Sequence, residues 1–219
     1  MAELLRLYHG SKSGLVGDIV PTSRWSCDFG RGFYMGTDAH QPQTLICRQE
    51  TPKFYAVEFD LSDLTVRTFE PDLLWALFVA YNRGEMSAYA ETPLCRRLGS
   101  LAAGTDVFVG RIANDRIFYA AQSFFRNVIT LETLSEVLKA VNLGEQYCAI
   151  SAKACRRVRV VSEKSLSAAE CESLRRESDV QRRRAVELTD AVIRRNRHVD
   201  GTYFDELCEK FADGEVPGL

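Results

Sequence analysis

The sequence predicts an α+β fold, a core of short strands ringed by helices and followed by a helical appendage. Three observations predict it. Strand-like and helix-like stretches are intermixed without a βαβ repeat, and no Gly-x-Gly-x-x-Gly follows the first strand, which speaks against a doubly wound parallel sheet. Two glycine-bearing segments, Leu7-Tyr8-His9-Gly10-Ser11 and Asp28-Phe29-Gly30-Arg31-Gly32-Phe33-Tyr34, lie near the start of the chain. From Ser162 onward the chain becomes charged, helix-prone and poor in aromatics. The expected division is therefore a body over residues 1–161 and a charged helical extension over 162–219.

Taken in order, Leu4 to Tyr8 reads as a strand whose end delivers His9. Residues 10–30 carry Gly10, Gly14, Gly17, Pro21 and Gly30 among polar neighbours, the composition of an ordered loop. A helix is expected from Asp38 to Arg48, entered through a Thr or Asp N-cap with Pro42 in its first turn. Phe54 to Leu61 alternates as a strand with Tyr55, Val57 and Phe59 on one face, and Val66 to Phe69 reads as another. Pro71 opens an apolar helix over Asp72–Tyr81, closed by Asn82 and Gly84. Asp106 to Gly110 reads as a buried strand, Asp115–Phe125 and Leu131–Val141 as helices, and Gln146–Ile150 and Val158–Val161 as strands. In the extension, Ala168 to Arg197 reads as one long helix, and Thr202-x-x-Asp205 as a capping box for a last helix ending near Gly214. Between Arg175 and Arg197 eight arginines face four acids. That excess fits a solvated helix face, or a contact with a partner or RNA.

Composition narrows the function classes. The chain has 219 residues, enough for one substantial core, with a formal net charge of −2. That charge argues against a surface given over wholly to nucleic acid, though not against a local basic patch. No apolar run reaches the ~18 residues of a membrane span, so no membrane role is expected. The first residues show no basic-then-apolar leader. Seven cysteines at scattered spacings, with no Cys-x-x-Cys and three histidines, predict reduced thiols in a cytoplasmic protein and no metal site.

The stretch Asp28 to Asp38 organises the reading. Gly30 and Gly32 allow positive φ or a close approach to a ligand. Phe33 and Tyr34 are neighbours, so in an extended segment one enters the core while the other faces a cleft. A glycine-punctuated turn into a buried strand accounts for this stretch alone. Likewise, a satisfied core histidine accounts for His9 alone.

Together, Tyr8-His9-Gly10-Ser11 and Gly32-Phe33-Tyr34-Met35-Gly36-Thr37-Asp38 resemble the split NAD site of ADP-ribosyltransferases of the diphtheria-toxin and poly-ADP-ribose polymerase type. The chain through about residue 160 is also similar to a bacterial family with an Asp-Phe-Gly-Lys/Arg-Gly-Phe-Tyr centre and later Ala-Asn-Asp and Gln-Tyr motifs, here Ala113-Asn114-Asp115 and Gln146-Tyr147. The resemblance implies a split core of two packed, antiparallel-rich sheets with NAD, as substrate, bound between them and no metal. By that resemblance His9 holds a ribose and Gly10 the carboxamide. Tyr34 stacks on nicotinamide, Thr37 supports that wall, and Ser11, Gly32 and Phe33 complete the binding motifs. The transferases' later glutamate has no clear counterpart. Gln146 takes the matching place, and an amide orients a ribose without supplying charge. Glu145 points to the other strand face. Asp115 is the other acid to watch, and also fits a first-turn acid on a helix dipole.

The activity implied is mono-ADP-ribosylation of a macromolecule, protein or nucleic acid, by the toxin of a bacterial toxin–antitoxin pair with a small antitoxin as partner. A catalytically silent NAD- or ADP-ribose-binding module with a partner-binding tail is the first alternative. An RNA-modifying NAD-dependent transferase is the second.

Overall fold

Alternation in the two longest early strands builds the first apolar layer. The computed structural model describes residues 4–113, 115–140 and 144–210, except the side chains of residues 88, 115–118 and 210. Strand β1 (Leu4–Ser11) and strand β3 (Lys53–Asp60) pair antiparallel along their whole length, Leu4 opposite Asp60 and Ser11 opposite Lys53. Leu7, Tyr55, Val57 and Phe59 are buried in one cluster, as the period-2 pattern demands. Strand β7 (Val158–Ser165) covers the outer edge of β3, with a register shift between Ala56 and Val57. The boundary expected at 161/162 therefore falls inside a sheet strand, which continues four residues past Val161.

The other half of the sheet starts from strand β2 (Phe33–Gly36), paired antiparallel with strand β6 (Glu145–Ala149). Strand β5 (Val107–Arg111) lies beyond β6, and strand β4 (Val66–Thr68) runs parallel to β5 at the edge. The order is β4-β5-β6-β2-β1-β3-β7 in one seven-stranded sheet. The expectation of two separate sheets is thus corrected: hydrogen bonding joins the halves where Tyr8 pairs with Gly36. Phe33, Met35, Val107, Val109 and Ala149 share an apolar cluster with Leu7 and Val57, so the halves also pack through side chains.

Helices cover the other face of the β5–β6 half. Helix α1 (His40–Ile46) follows β2; its N-cap position is Ala39, without a side-chain cap, and Asp38 Oδ1 accepts from His40 N–H at 2.9 Å. Helix α2 (Leu73–Arg83) runs two residues past the expected end at Tyr81 and takes in Asn82. Asp72, expected inside the helix, is its N-cap and accepts from Trp75 N–H, and Gly84 closes it at φ +82° as expected. The stretch 84–104, without clear pattern in the sequence, holds a 3-10 turn at Ser87–Tyr89 and helix α3 (Pro93–Ser100), capped by Thr92. Helices α4 (Asp115–Phe125) and α5 (Leu131–Ala140) follow β5, and the short α6 (Ala152–Cys155) follows β6. Trp75, Phe78, Leu98, Phe108, Phe124 and Leu134 form the main core with Cys148.

Helix α7 (Ala168–Arg195) opens with a Ser167/Glu170 capping box and stops two residues short of Arg197. Val192 of α7, with Phe204 and Leu207 of helix α8 (Phe204–Lys210), is buried in the main core, so the extension packs as part of the body. The Thr202/Asp205 capping box is corrected as well. Glu206 reaches back to Tyr203 N–H at 3.0 Å, one residue later, while Thr202 N–H is taken by Glu132. The expected end near Gly214 lies outside the described residues. No helix among the described residues is long and apolar enough to cross a membrane.

Candidate functional site

The joint between β1 and β2 fixes the chemistry of His9. Past the Tyr8–Gly36 pair, the His9 ring lies beside β2, stacked on Phe33 with centroids 4.3 Å apart. Its Nδ1–H donates to the Tyr34 carbonyl at 2.7 Å. Burial lowers its pKa from the ordinary 6.5, against the raising effect of that hydrogen bond. The ring is therefore neutral with the proton on Nδ1, and Nε2 is left as an acceptor.

Tyr34 projects to the helical face, where its ring packs against the main core. Its O–H donates to Gly30 O at 2.7 Å and accepts from Phe29 N–H at 2.9 Å, which ties the strand to the preceding loop. Burial, reinforced by Cys148 next to it, pushes its pKa far above the usual phenol range. The hydroxyl is a structural tie and no proton donor to substrate; only the ring is left for stacking. His9 and Tyr34 thus meet through the Tyr34 backbone, with their side chains on different faces.

Gln146 sits at the centre of a buried polar network. Its Nε2–H donates to Asp28 Oδ2 at 2.7 Å and to Arg111 O at 3.2 Å. Asp28, 7% exposed, also accepts from Ala113 N–H at 3.1 Å and from Arg83 Nε–H at 2.9 Å, and pairs with Arg83 Nη2. Arg83 in turn donates to Ala113 O at 2.8 Å. A buried carboxylate with this many donors is held well, and its ion pair is costly to break from one side. The amide of Gln146 is thereby oriented, and among the described residues nothing donates to its Oε1. The residue type at 146 now has a local reason. A glutamate there would set a second carboxylate at the 2.7 Å separation from Asp28.

The remaining predicted residues have mainly structural settings. A Cβ on Gly10 would lie 2.6 Å from Pro42 O, and one on Gly32 2.3 Å from Cys148 Sγ, so both glycines are required by packing against α1 and β6. Ser11 Oγ closes a turn through Gly14 N and O. Thr37 N–H donates to Glu145 O at 3.0 Å and its Oγ1 lies against the same residue's backbone, fastening the ends of β2 and β6. Phe33 is buried under His9. Glu145 is exposed and Gln146 buried, so strand alternation separates them as expected. Asp115 is the first residue of α4, while its side chain and Asn114 lie outside the described residues.

A family model described as a protein of unknown function, DUF3990, matches residues 5–160. The chain belongs to the DUF3990 family. No curated protein matches it, and no solved structure does. The DUF3990 match runs from β1 into β7 and so contains His9, Asp28, Tyr34, Arg83 and Gln146, with α7 and α8 beyond it.

Asp28 and Arg83 are the residues of this candidate site that the sequence did not single out for it. Asp28 stood in the central motif as a turn residue. Arg83 is the one charged side chain in the helix Leu73–Arg83, directly before its glycine cap. A lone cation closing an apolar helix was the available signal, but it reads equally well as a favourable charge on the helix dipole. Among the described residues no group of His, Cys, Asp and Glu is placed to hold a metal ion.

Proposed function

We propose that this chain is an NAD-dependent ADP-ribosyltransferase acting on a macromolecule. The observation that carries the reading is the tautomer of His9. Nδ1–H is spent on the Tyr34 carbonyl across the joint of the half-sheets, and Nε2 is left to accept from a ribose hydroxyl. A protonated ring could donate there but could not accept, so the lowered pKa matters for binding. Gln146, paired with Gly36 as Gly36 is with Tyr8, lies on the Tyr34 face of the sheet, opposite the His9 ring. Its proposed role is to position a ribose from that face through Oε1, with Asp28 holding its amide nitrogen. Holding a ribose in one pose lowers a barrier by removing orientational freedom, whether or not a charge is present. Asp115, at the start of α4, is the acid proposed to supply charge or accept the acceptor's proton, Glu145 lying on the opposite strand face from Gln146. On this reading the chain is a bacterial toxin with a small antitoxin protein as its partner.

The buried, uncharged amide at 146 favours one second reading, a silent NAD- or ADP-ribose-binding module. Both are tested together. NAD at a hundredfold excess over its dissociation constant should stabilise the fold by ~2.7 kcal/mol, raising the melting temperature in the parent and not in His9→Ala. Incubation with labelled NAD and a lysate, followed by separate protease and nuclease digestion, should then show label on one macromolecule class, weakened in Gln146→Ala. Stabilisation without transfer or NAD hydrolysis selects the silent module. No stabilisation at all, in a protein folded by circular dichroism, overturns both.

A further inference from the structure

Two tryptophans lie in contrasting settings. Trp75 is 1% exposed in the core, whereas Trp25 is 74% exposed on the loop between β1 and β2. That loop is tied down around it. Ser23 N–H donates to Gly32 O at 3.1 Å, Gly32 N–H donates to Ser23 Oγ at 3.0 Å, and Gly30 N–H donates to Cys27 O at 3.0 Å. Three residues after Trp25, the buried Asp28 is paired with Arg83. Trp25 is therefore displayed from a pinned loop that runs straight into Phe33 and Tyr34.

The indole also has a backing. The Arg31 guanidinium lies over its ring, Cζ 5.2 Å from the centroid, and Arg31 Nε–H donates to Pro21 O at 3.0 Å. A cation held on one face leaves the other face for a second flat ring. Arg24, the neighbouring residue, is exposed, and the nearest acid along the chain, Asp28, is buried and neutralised by Arg83. The loop's other acid, Asp18, is exposed seven residues away. An exposed indole flanked by two arginines has the make-up of a site for a flat base carrying phosphate.

We propose that Trp25, backed by Arg31, is a stacking platform for a nucleobase, with Arg24 meeting the attached phosphate. The base has two sources of the same chemistry: the adenine of a dinucleotide, or an unpaired base of a nucleic acid. The proposal rests on the transferase reading only for its place beside the His9 strand, since stacking requires no transfer.

The test uses the full chain and its own fluorescence, Trp25 being the solvent-facing indole. AMP, NAD, a short single-stranded oligoadenylate and ribose 5-phosphate are titrated separately. Base-bearing ligands should quench to saturation and ribose 5-phosphate should not. Trp25→Ala should weaken binding measured by calorimetry by roughly tenfold or more, with its melting temperature unchanged. Trp25→Phe should lose the quenching and keep most of the affinity. Tighter, salt-sensitive binding of the oligoadenylate that weakens in Arg24→Glu identifies the base as one from a nucleic acid. NAD and AMP binding as well as the oligoadenylate, without salt dependence, identifies the adenine of a dinucleotide. Quenching that persists in Trp25→Phe, or none with any base, overturns the platform. If NAD still raises the melting temperature in that second case, the transferase reading survives it. Quenching by the oligoadenylate with no NAD response at His9 is the converse result.

Discussion

Replacing Gln146 by glutamate introduces a negative charge at the place that the resemblance to ADP-ribosyltransferases would give to one, and the structure predicts that it destabilises this protein. Gln146 Nε2 lies 2.7 Å from Asp28 Oδ2. Two ionised carboxylates at that spacing would repel by roughly 6 kcal/mol at an effective dielectric of about 20. Protonating the introduced group is cheaper. Holding a glutamic acid of ordinary pKa ~4.3 in its neutral form at pH 7 costs about 4 kcal/mol. That sets the ceiling, and attraction from Arg83 reduces it. A loss of ~3 kcal/mol lowers the melting temperature of a chain this size by roughly 10 °C. The introduced carboxyl has a raised folded-state pKa, so the folded protein binds more protons than the unfolded one. The penalty is therefore greatest above the folded pKa and fades as pH falls toward the unfolded value of ~4.3. Thermal unfolding of Gln146→Glu by circular dichroism between pH 5 and 8 measures it. Asp28→Asn in the same chain should recover part of the loss, because an asparagine amide can donate to the new carboxylate; the two changes should couple by at least ~1 kcal/mol. If Gln146→Glu melts with the parent at pH 7, or the deficit is the same at pH 5 and pH 8, the network reasoning is refuted.

Other perturbations test separate contacts. Arg83→Met leaves Asp28 buried without its cation and should cost about 2–4 kcal/mol in a denaturant titration, discounting the partly exposed guanidinium; adding Asp28→Asn should return some of it. Gly10→Ala drives a methyl to 2.6 Å from Pro42 O and should lose ~1–3 kcal/mol. Gly36→Ala, whose nearest atom would be 3.6 Å away, should lose much less, and equal losses would count against the packing account. His9 has a depressed folded-state pKa, so its contribution is fully present above 6.5 and fades as pH falls through that value toward the folded one. NAD affinity should fall only at lower pH, as the folded ring itself takes up a proton through its depressed pKa, and an NMR titration of the His9 ring would check that midpoint.

Much of the local structure was legible because it follows from local rules. The apolar period of Tyr55, Val57 and Phe59 located a strand and its buried face. Gly84 marked the close of α2, since only glycine takes a left-handed turn cheaply. Alternation alone separated Glu145 from Gln146. The Thr202/Asp205 box failed by one residue because Glu132, from a distant helix, claims the Thr202 N–H.

By itself, then, the sequence located most of the strands and helices, though not α3 or α6, and the buried face of a strand such as β3. Only the tertiary structure decided how the site is wired. It joined the half-sheets at Tyr8 and Gly36, set His9 Nδ1 on the Tyr34 carbonyl, and sent the Tyr34 hydroxyl back into its own loop. It also brought Asp28 to Arg83 and Gln146, partners 55 and 118 residues away. Periodicity and capping report on neighbours within a turn or two of chain. A buried carboxylate selects its partners through space, by what else is buried beside it and which donors can reach it once water is gone.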